Sequence, residues 1–305
     1  MQDGHSGDGE THSEEGLPGG SLGSSKVLIK PTSDVPASGD GTGAFRTTCE
    51  FSHMRYDDPI VFPGVKGASH LHTFFGNTQA DAFSSADSLR NSGNSTCRGG
   101  IANRSSYWVP TLLDESGEPI VPETANIYYK SGYRGVDPES IRPFPEGLRM
   151  IAGDAAATTD QEVSYWTCGG GPQSGTIPDC DSGTQLLMHV EFPQCWNGQD
   201  IDSDNHKRHM AYPVDRHCPA SHPVAIPAIS FNIPYTVPSR GTRGWRLVSD
   251  SYPTSQPGGY SAHGDWFDGW DPDVVKVWVK DCVDAAVDCH SHLLGDGRQI
   301  YFTED

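Results

Sequence analysis

The chain has 305 residues, and its 40 Asp and Glu against 21 Lys and Arg give a formal net charge of −19. That balance argues against nucleic acid or an anionic membrane as partner, because both need clustered cations; it suits a monomer kept apart from its copies by self-repulsion. Hydrophobic content of 35 %, with 35 Gly and 23 Pro, favours short strands and long ordered loops over a helical bundle, and no apolar run is long enough to span a bilayer.

Residues 1–44 are mostly Gly, Ser, Asp, Glu and Pro with isolated apolar residues. Such a segment buries too little surface to offset chain entropy and reads as a disordered arm or linker ahead of one domain over 45–305. No apolar core segment of a signal peptide stands in residues 1–25, which reads as a chain whose leader has been removed. Cysteines stand at Cys49, Cys97, Cys168, Cys180, Cys195, Cys218, Cys282 and Cys289. An even count without a C-x-x-C pair points to disulfides and hence to a secreted, extracellular protein. Sequence leaves the pairing open; nearest neighbours (49–97, 168–180, 195–218, 282–289) are the expected partners.

Within the domain, Asp57-Asp58-Pro59 reads first as a turn. Ser69-His70-Leu71-His72 follows, and on a strand the i, i+2 spacing puts both imidazoles on one face. Asp81 to Arg90 has the spacing of a short helix. Asn94-Ser95-Thr96 and Asn103-Arg104-Ser105 are glycosylation sequons. Strands are expected at 106–112, 125–130, 148–153, 163–168, 185–192, 225–235 and 245–250. In the fifth of these, His189 and Glu191 share a face. Asp200, Asp202 and Asp204 alternate as in a calcium loop, without the glycine and terminal glutamate of an EF-hand. His206 and His209, spaced i, i+3, would share one face of a helical turn. His263 and Asp265 form a further i, i+2 pair, and Asp271-Pro272 opens a helix. The fold expected is mainly β, sandwich or jelly-roll-like, with long disulfide-tied loops and a few short helices.

Several stretches together carry a family resemblance: Asp58-Pro59-Ile60-Val61, His70-x-His72, Tyr107-Trp108-x-Pro110-x-Leu112, Gly147-x-Arg149-Met150-x-Ala152-Gly153, Phe192-Pro193-x-Cys195-Trp196, Asp202-Ser203-x-x-His206-Lys207-x-His209-Met210-Ala211-Tyr212-Pro213 and His263-Gly264-Asp265. From about Arg55 to Cys289 the chain resembles the DUF1996 family. The family's usual Asp-His-Lys-Ser-His reads Asn205-His206-Lys207-Arg208-His209 here; if its aspartate orients the next histidine, Asn205 would do so without charge. The resemblance implies a secreted protein, and the sugar-binding WSC modules often joined to fungal members imply a role on polysaccharide or cell-wall glycan. It supplies no catalytic residues.

Three functions are open on these residues. The first is a polysaccharide hydrolase or lyase working in a His/Asp-rich cleft, with His70, His72, His206, His209, His263, Asp265, Asp202 and Asp58 as catalytic candidates. Arg149, Tyr212, Trp108 and Trp266 are then the candidates to hold substrate. The second is a metal protein, with His70, His72, His206, His209 and His263 as ligands for a divalent ion such as Zn, Cu or Ca. The third is a non-catalytic wall-glycan-binding protein. The histidine pairs are expected to converge on one site.

Overall fold

The structure, a computed structural model, describes residues 14–290 and 292–303. It is mostly strands with few helices. Among the described residues the main sheet has eleven strands, the short Ala37–Ser38 and Val287–Asp288 branching from a path of nine, in chain order β1 (Ala44–Arg55), β2 (His72–Gly76), β3 (Ser106–Pro110), β4 (Thr124–Lys130), β5 (Arg149–Gly153), β6 (Ser164–Cys168), β7 (Gln185–Glu191), β8 (Ala228–Thr236) and β9 (His263–Phe267). Their spatial order is β5-β9-β3-β2-β1-β4-β8-β7-β6, antiparallel at every step.

β1 is the pivot of this sheet. Its residues 44–50 pair with β4, whereas Phe51 to Arg55 pair with β2, and the register slips between Phe51 and His53. Such a slip bends a strand and raises its twist. The sheet therefore folds into two leaves, β1-β4-β8-β7-β6 and β1-β2-β3-β9-β5, with side chains of their facing surfaces in contact. Tyr107 of β3 meets Phe231 of β8 edge-on at 5.8 Å. A Cβ on Gly264 of β9 would lie 3.1 Å from the Phe231 ring, so glycine lets the leaves approach. Alternation assigns the faces: in β4, Ala125, Ile127 and Tyr129 are buried while Asn126 and Tyr128 point outward and are half-buried.

A second, smaller apolar cluster lies on the outer face of the leaf that contains β9. Phe74, Trp108 and Phe267, from β2, β3 and β9, pack there under Ile60, Ala80 and Leu89 from the connecting segments. His72, His263 and Asp265 share that outer face by the period-two rule, so the strand pairs read from spacing project into the seam between sheet and covering loops.

Four disulfides join Cys49–Cys97, Cys168–Cys180, Cys195–Cys218 and Cys282–Cys289, leaving no free cysteine. Helix α1 is shorter than its spacing suggested, Ala86–Asn91, because Ser85 and Ser88 form a capping box that starts it there. Helix α2 (Pro272–Trp278) starts as expected, with the Asp271 side chain accepting from the amides of Asp273 and Val274. The stretch 225–235 holds one long strand, β8, preceded by the two-residue strand Val224–Ala225. Asn103 is fully buried and its amide donates to the Tyr107 hydroxyl, which withdraws the second sequon from modification in the folded chain.

The arm departs from expectation. Residues 1–13 lie outside the described residues, but 14–44 are not structureless. Ile29–Pro31 pairs with Arg298–Ile300, Ala37–Ser38 pairs with Val287–Asp288, and Leu28 is buried. Gly20 runs so close to the backbone of Phe51 and Ser52 that a Cβ would sit 2.3 Å from a carbonyl oxygen. The composition hid this because the segment is held by backbone pairing, which small and polar residues supply as well as apolar ones. Leu28→Ala should therefore cost about 2–5 kcal/mol, the range for a buried Leu truncation, read as a lower midpoint in urea unfolding; an unchanged midpoint would show that the arm does not dock.

His53, on β1, is held by Ser52 Oγ on Nδ1 (2.8 Å) and the Ala80 carbonyl on Nε2 (2.9 Å), and it stacks on Phe74. Burial, reinforced by Arg55, pushes its pKa from 6.5 down to about 4. The unfolded chain then takes up a proton before the folded one does. His53's contribution is intact above 6.5 and is lost as pH falls from there towards 4. Between pH 7 and 5 the loss should be about 2 kcal/mol. His53→Gln should flatten the acid side of the stability profile by that amount in unfolding curves taken at both pH values.

Candidate functional site

Five side chains from the two ends of the domain meet in the seam. His70 precedes β2, His72 opens it, Asp58 follows β1, and His263 and Asp265 stand on β9. The register explains the meeting: β2 pairs with β3 and β3 with β9, which places Asp265 opposite Trp108 and Trp108 opposite Phe74. The rings of His70 and His72 lie 4.3 Å apart by centroid, those of His70 and His263 5.1 Å, and those of His72 and His263 5.9 Å. One ligand atom from each of these histidines falls within 4.8 Å of the others, and the same holds for Asp58, His72 and Asp265. Two triads thus share His72.

Backbone carbonyls fix the rings. His72 donates Nδ1–H to the Asp57 carbonyl (3.0 Å) and His263 donates Nδ1–H to the Ser261 carbonyl (2.8 Å). Each ring is left with Nε2 as its free lone pair, the arrangement that orients metal-binding imidazoles. Nε2 of His70, Nε2 of His72 and Oδ2 of Asp265 are buried and have no hydrogen-bond partner among the described residues. An unsatisfied buried polar atom costs about 1–3 kcal/mol, so three in one place call for a bound group. Asp58, by contrast, is engaged: its Oδ1 accepts from the amides of Ile60 (2.8 Å) and Val61 (2.9 Å). The turn reading of Asp58 therefore holds alongside its place in the cluster.

Burial dominates the electrostatics. It pushes the His70 pKa down to about 4 and that of His263 to about 3, with His70 adding to the latter. His72 lies well below its ordinary value through burial and then through His70 and His263. All three are neutral at neutral pH, the form that binds a metal. Burial and then the Asp58 charge raise Asp265 well above the usual carboxylate range. Burial also raises Asp58, against the pull of the two amides, the Trp108 indole and His206. A cation is what would let both carboxyls ionise.

The remaining candidates separate into neighbours and structural parts. His206 donates Nδ1–H to Asp202 Oδ1 at 2.9 Å, and Asp202 Oδ2 accepts from Arg149 at 3.1 Å. Residues 203–209 are a run of turns, not a helix, and His206 has a positive φ of 57°. His209 is buried with both nitrogens used, Nδ1 on Ser203 Oγ and Nε2 on the Arg149 carbonyl. It therefore has no lone pair to give a metal and is a strut. Arg149 lies 4.6 Å over Phe267 and is paired with Asp202, so it braces the turns and is not free to neutralise substrate.

Trp108 is a buried wall of the cluster, stacked on Phe74, and Trp266 faces Phe144 in the main core; neither is a sugar platform. Tyr212 donates its hydroxyl to the Glu191 carbonyl and, with Lys207, lines a surface cavity of about 220 Å³ beside Gly153, the strand partner of His263. Glu191 pairs with Arg134, and His189 stacks on Tyr165 away from the cluster. The alternating aspartates form no calcium loop: Asp200 holds Asn197, Asp202 holds Arg149 and His206, and Asp204 pairs with Arg208. The cluster is also more closed than an open cleft, since His72, His263, Asp58 and Asp265 are buried and His70 is half-buried.

Spacing could not reveal the carbonyls of Asp57 and Ser261, because a backbone acceptor has no sequence signature. It also missed Asp250, whose carboxylate gathers the amides of Leu247, Gly259 and Ser261 and the Ser261 hydroxyl, and Lys207, whose ammonium sits on the Gly153 carbonyl at 2.7 Å.

His209→Ala should lower stability by about 2–3 kcal/mol, since it strands a buried carbonyl and leaves a cavity, while metal content per chain stays unchanged. Urea unfolding with elemental analysis checks both halves, and a lost metal would return His209 to the ligand set.

The family model described as Domain of unknown function (DUF1996) matches residues 58–270, a span that includes all five cluster residues. No curated protein and no solved structure matches the chain. With more than half of its length matched, the chain belongs to the DUF1996 family.

Proposed function

We propose that this protein is a metal-dependent enzyme, with the ion held by His70, His72 and His263. The observation that supports this most is the convergence of three neutral imidazoles, two of them (His72 and His263) preset by backbone carbonyls and two (His70 and His72) with a buried Nε2 that has no partner among the described residues. Nitrogen donors of this kind suit Zn, Cu or Fe and argue against Ca, which takes six to eight oxygens. Three protein donors leave a coordination position open, the pattern of catalytic rather than structural zinc sites. When bound, such an ion polarises an oxygen of the substrate or of water.

Asp265, with its unpartnered oxygen, stands beside His72 as a hydrogen-bond acceptor for whatever enters once an ion lets it ionise. Asp58 holds the covering turn in place. In this reading the substrate is an extracellular polysaccharide, as the resemblance implies, and four disulfides suit that compartment.

Isothermal titration of chelator-treated protein with Zn²⁺ and Cu²⁺ should give one equivalent per chain and a higher melting temperature, as ligand linkage requires. His72→Ala should abolish binding. Absence of binding by the wild-type chain would sink the metal reading. Release of oligosaccharide from a panel of wall polysaccharides, lost on chelation, tests the substrate.

A further inference from the structure

One histidine beside the centre is neither a ligand nor a strut. His206 projects from turns that are fastened on every side. Asp202 Oδ1 takes its Nδ1–H and the Ser203 amide (2.8 Å), and Asp202 Oδ2 takes Arg149. Arg149 in turn is fixed over Phe267, two residues along β9 from Asp265. Asn205 Oδ1 accepts the amides of Lys207 and Arg208, and His209 anchors the far end of the turns. His206 takes the left-handed backbone region that non-glycine residues seldom adopt, and such outliers gather where a side chain must be aimed.

The side chain is 24 % exposed, so Nε2 is left for solvent or substrate. Lys207, the next residue, donates to the Gly153 carbonyl at 2.7 Å, and Gly153 is the strand partner of His263, which sets these turns against the edge of the centre. The departure at position 205 thus has a structural answer. The carboxylate that orients His206 is Asp202, four residues back, and Asn205 caps the turn.

We infer that Asp202 and His206 form the proton-transfer pair of this centre. The inference rests on the metal reading above. His206 Nε2 takes the proton of an attacking O–H as its oxygen bonds to the substrate; the imidazolium so formed is balanced by the Asp202 carboxylate, and the proton is then given to the departing oxygen as its bond breaks. The charged groups around the ring are Asp202 and Asp58, with Arg149 behind Asp202 and with Lys207 and His209 on its own segment.

The test uses the full chain with Zn²⁺ as the probe metal. NMR should find His206 protonated on Nδ1 when neutral. One equivalent of Zn²⁺ should move the His206 ring nitrogen resonances, as a nearby cation must, and Asp202→Asn should remove the preference for the Nδ1-protonated ring without zinc. His206→Gln should keep zinc affinity within about threefold and slow hydrolysis of 4-nitrophenyl acetate by the zinc-loaded protein about tenfold or more, with loss of the acidic limb of the kcat profile. Zinc affinity weakened tenfold in His206→Gln would make His206 a ligand and overturn the inference, as would zinc binding that leaves the His206 ring resonances unmoved. If the wild-type chain binds no zinc, the metal reading falls first and this one with it; if it binds zinc but shows no esterase activity, the ring resonances decide.

Discussion

A single strand that serves two leaves sets the geometry of this molecule. β1 pairs with β4 over its first half and with β2 over its second, and the slip at Phe51 to His53 turns one continuous ladder into two facing surfaces. Because backbone pairing must be kept through the bend, β2, β3 and β9 are stacked outward from β1 in fixed register. That register carries His72 and Asp265 onto the same outer face and brings the chain before and after it, at Asp58 and His70, over the top. The arm reinforces the same strand, since Ser21 donates to the Phe51 carbonyl at the bend.

The centre lies where apolar packing gives way to polar groups. Phe74, Trp108 and Phe267 form a small core beneath the covering loops, and the imidazoles sit at its margin. Water is thereby excluded from nitrogens that would otherwise be solvated, which keeps the rings neutral and leaves their lone pairs unpaired. Stability and chemistry pull in opposite directions here. A core built for stability alone would fill this place with apolar side chains, whereas three orphaned atoms carry a cost that a bound partner would offset.

Around the centre, carboxylates act mainly as organisers of backbone. Asp58 holds the turn at Ile60 and Val61, Asp250 gathers the loop that ends at Ser261, and Asp202 ties the turns of residues 203–209 to Arg149. Each of these loops delivers one element of the site: the Asp57 carbonyl to His72, the Ser261 carbonyl to His263, and the ring of His206. The large acidic excess of the chain is therefore partly spent inside its long loops, which have no ladder of their own and need side-chain acceptors for their amides.

The sequence by itself determined the class of fold, the start of α2 and the same-face pairs on strands, because alternation and capping are local properties that survive any tertiary arrangement; it left the disulfide pairing open, and the structure joins the nearest neighbours that were expected. It also singled out His70, His72, His263, Asp265 and Asp58. It could not separate His209 from His206, since both nitrogens of one are used up by Ser203 and Arg149 while the other, among the described residues, bonds only through Nδ1, a difference made by Arg149, which is distant in the chain. Nor could it find the packed arm, whose pairing partners lie at the opposite terminus. Only the tertiary structure decided which ionisable groups share a space, because register across β2, β3 and β9 and the path of the covering loops, rather than spacing along the chain, set the distances between them.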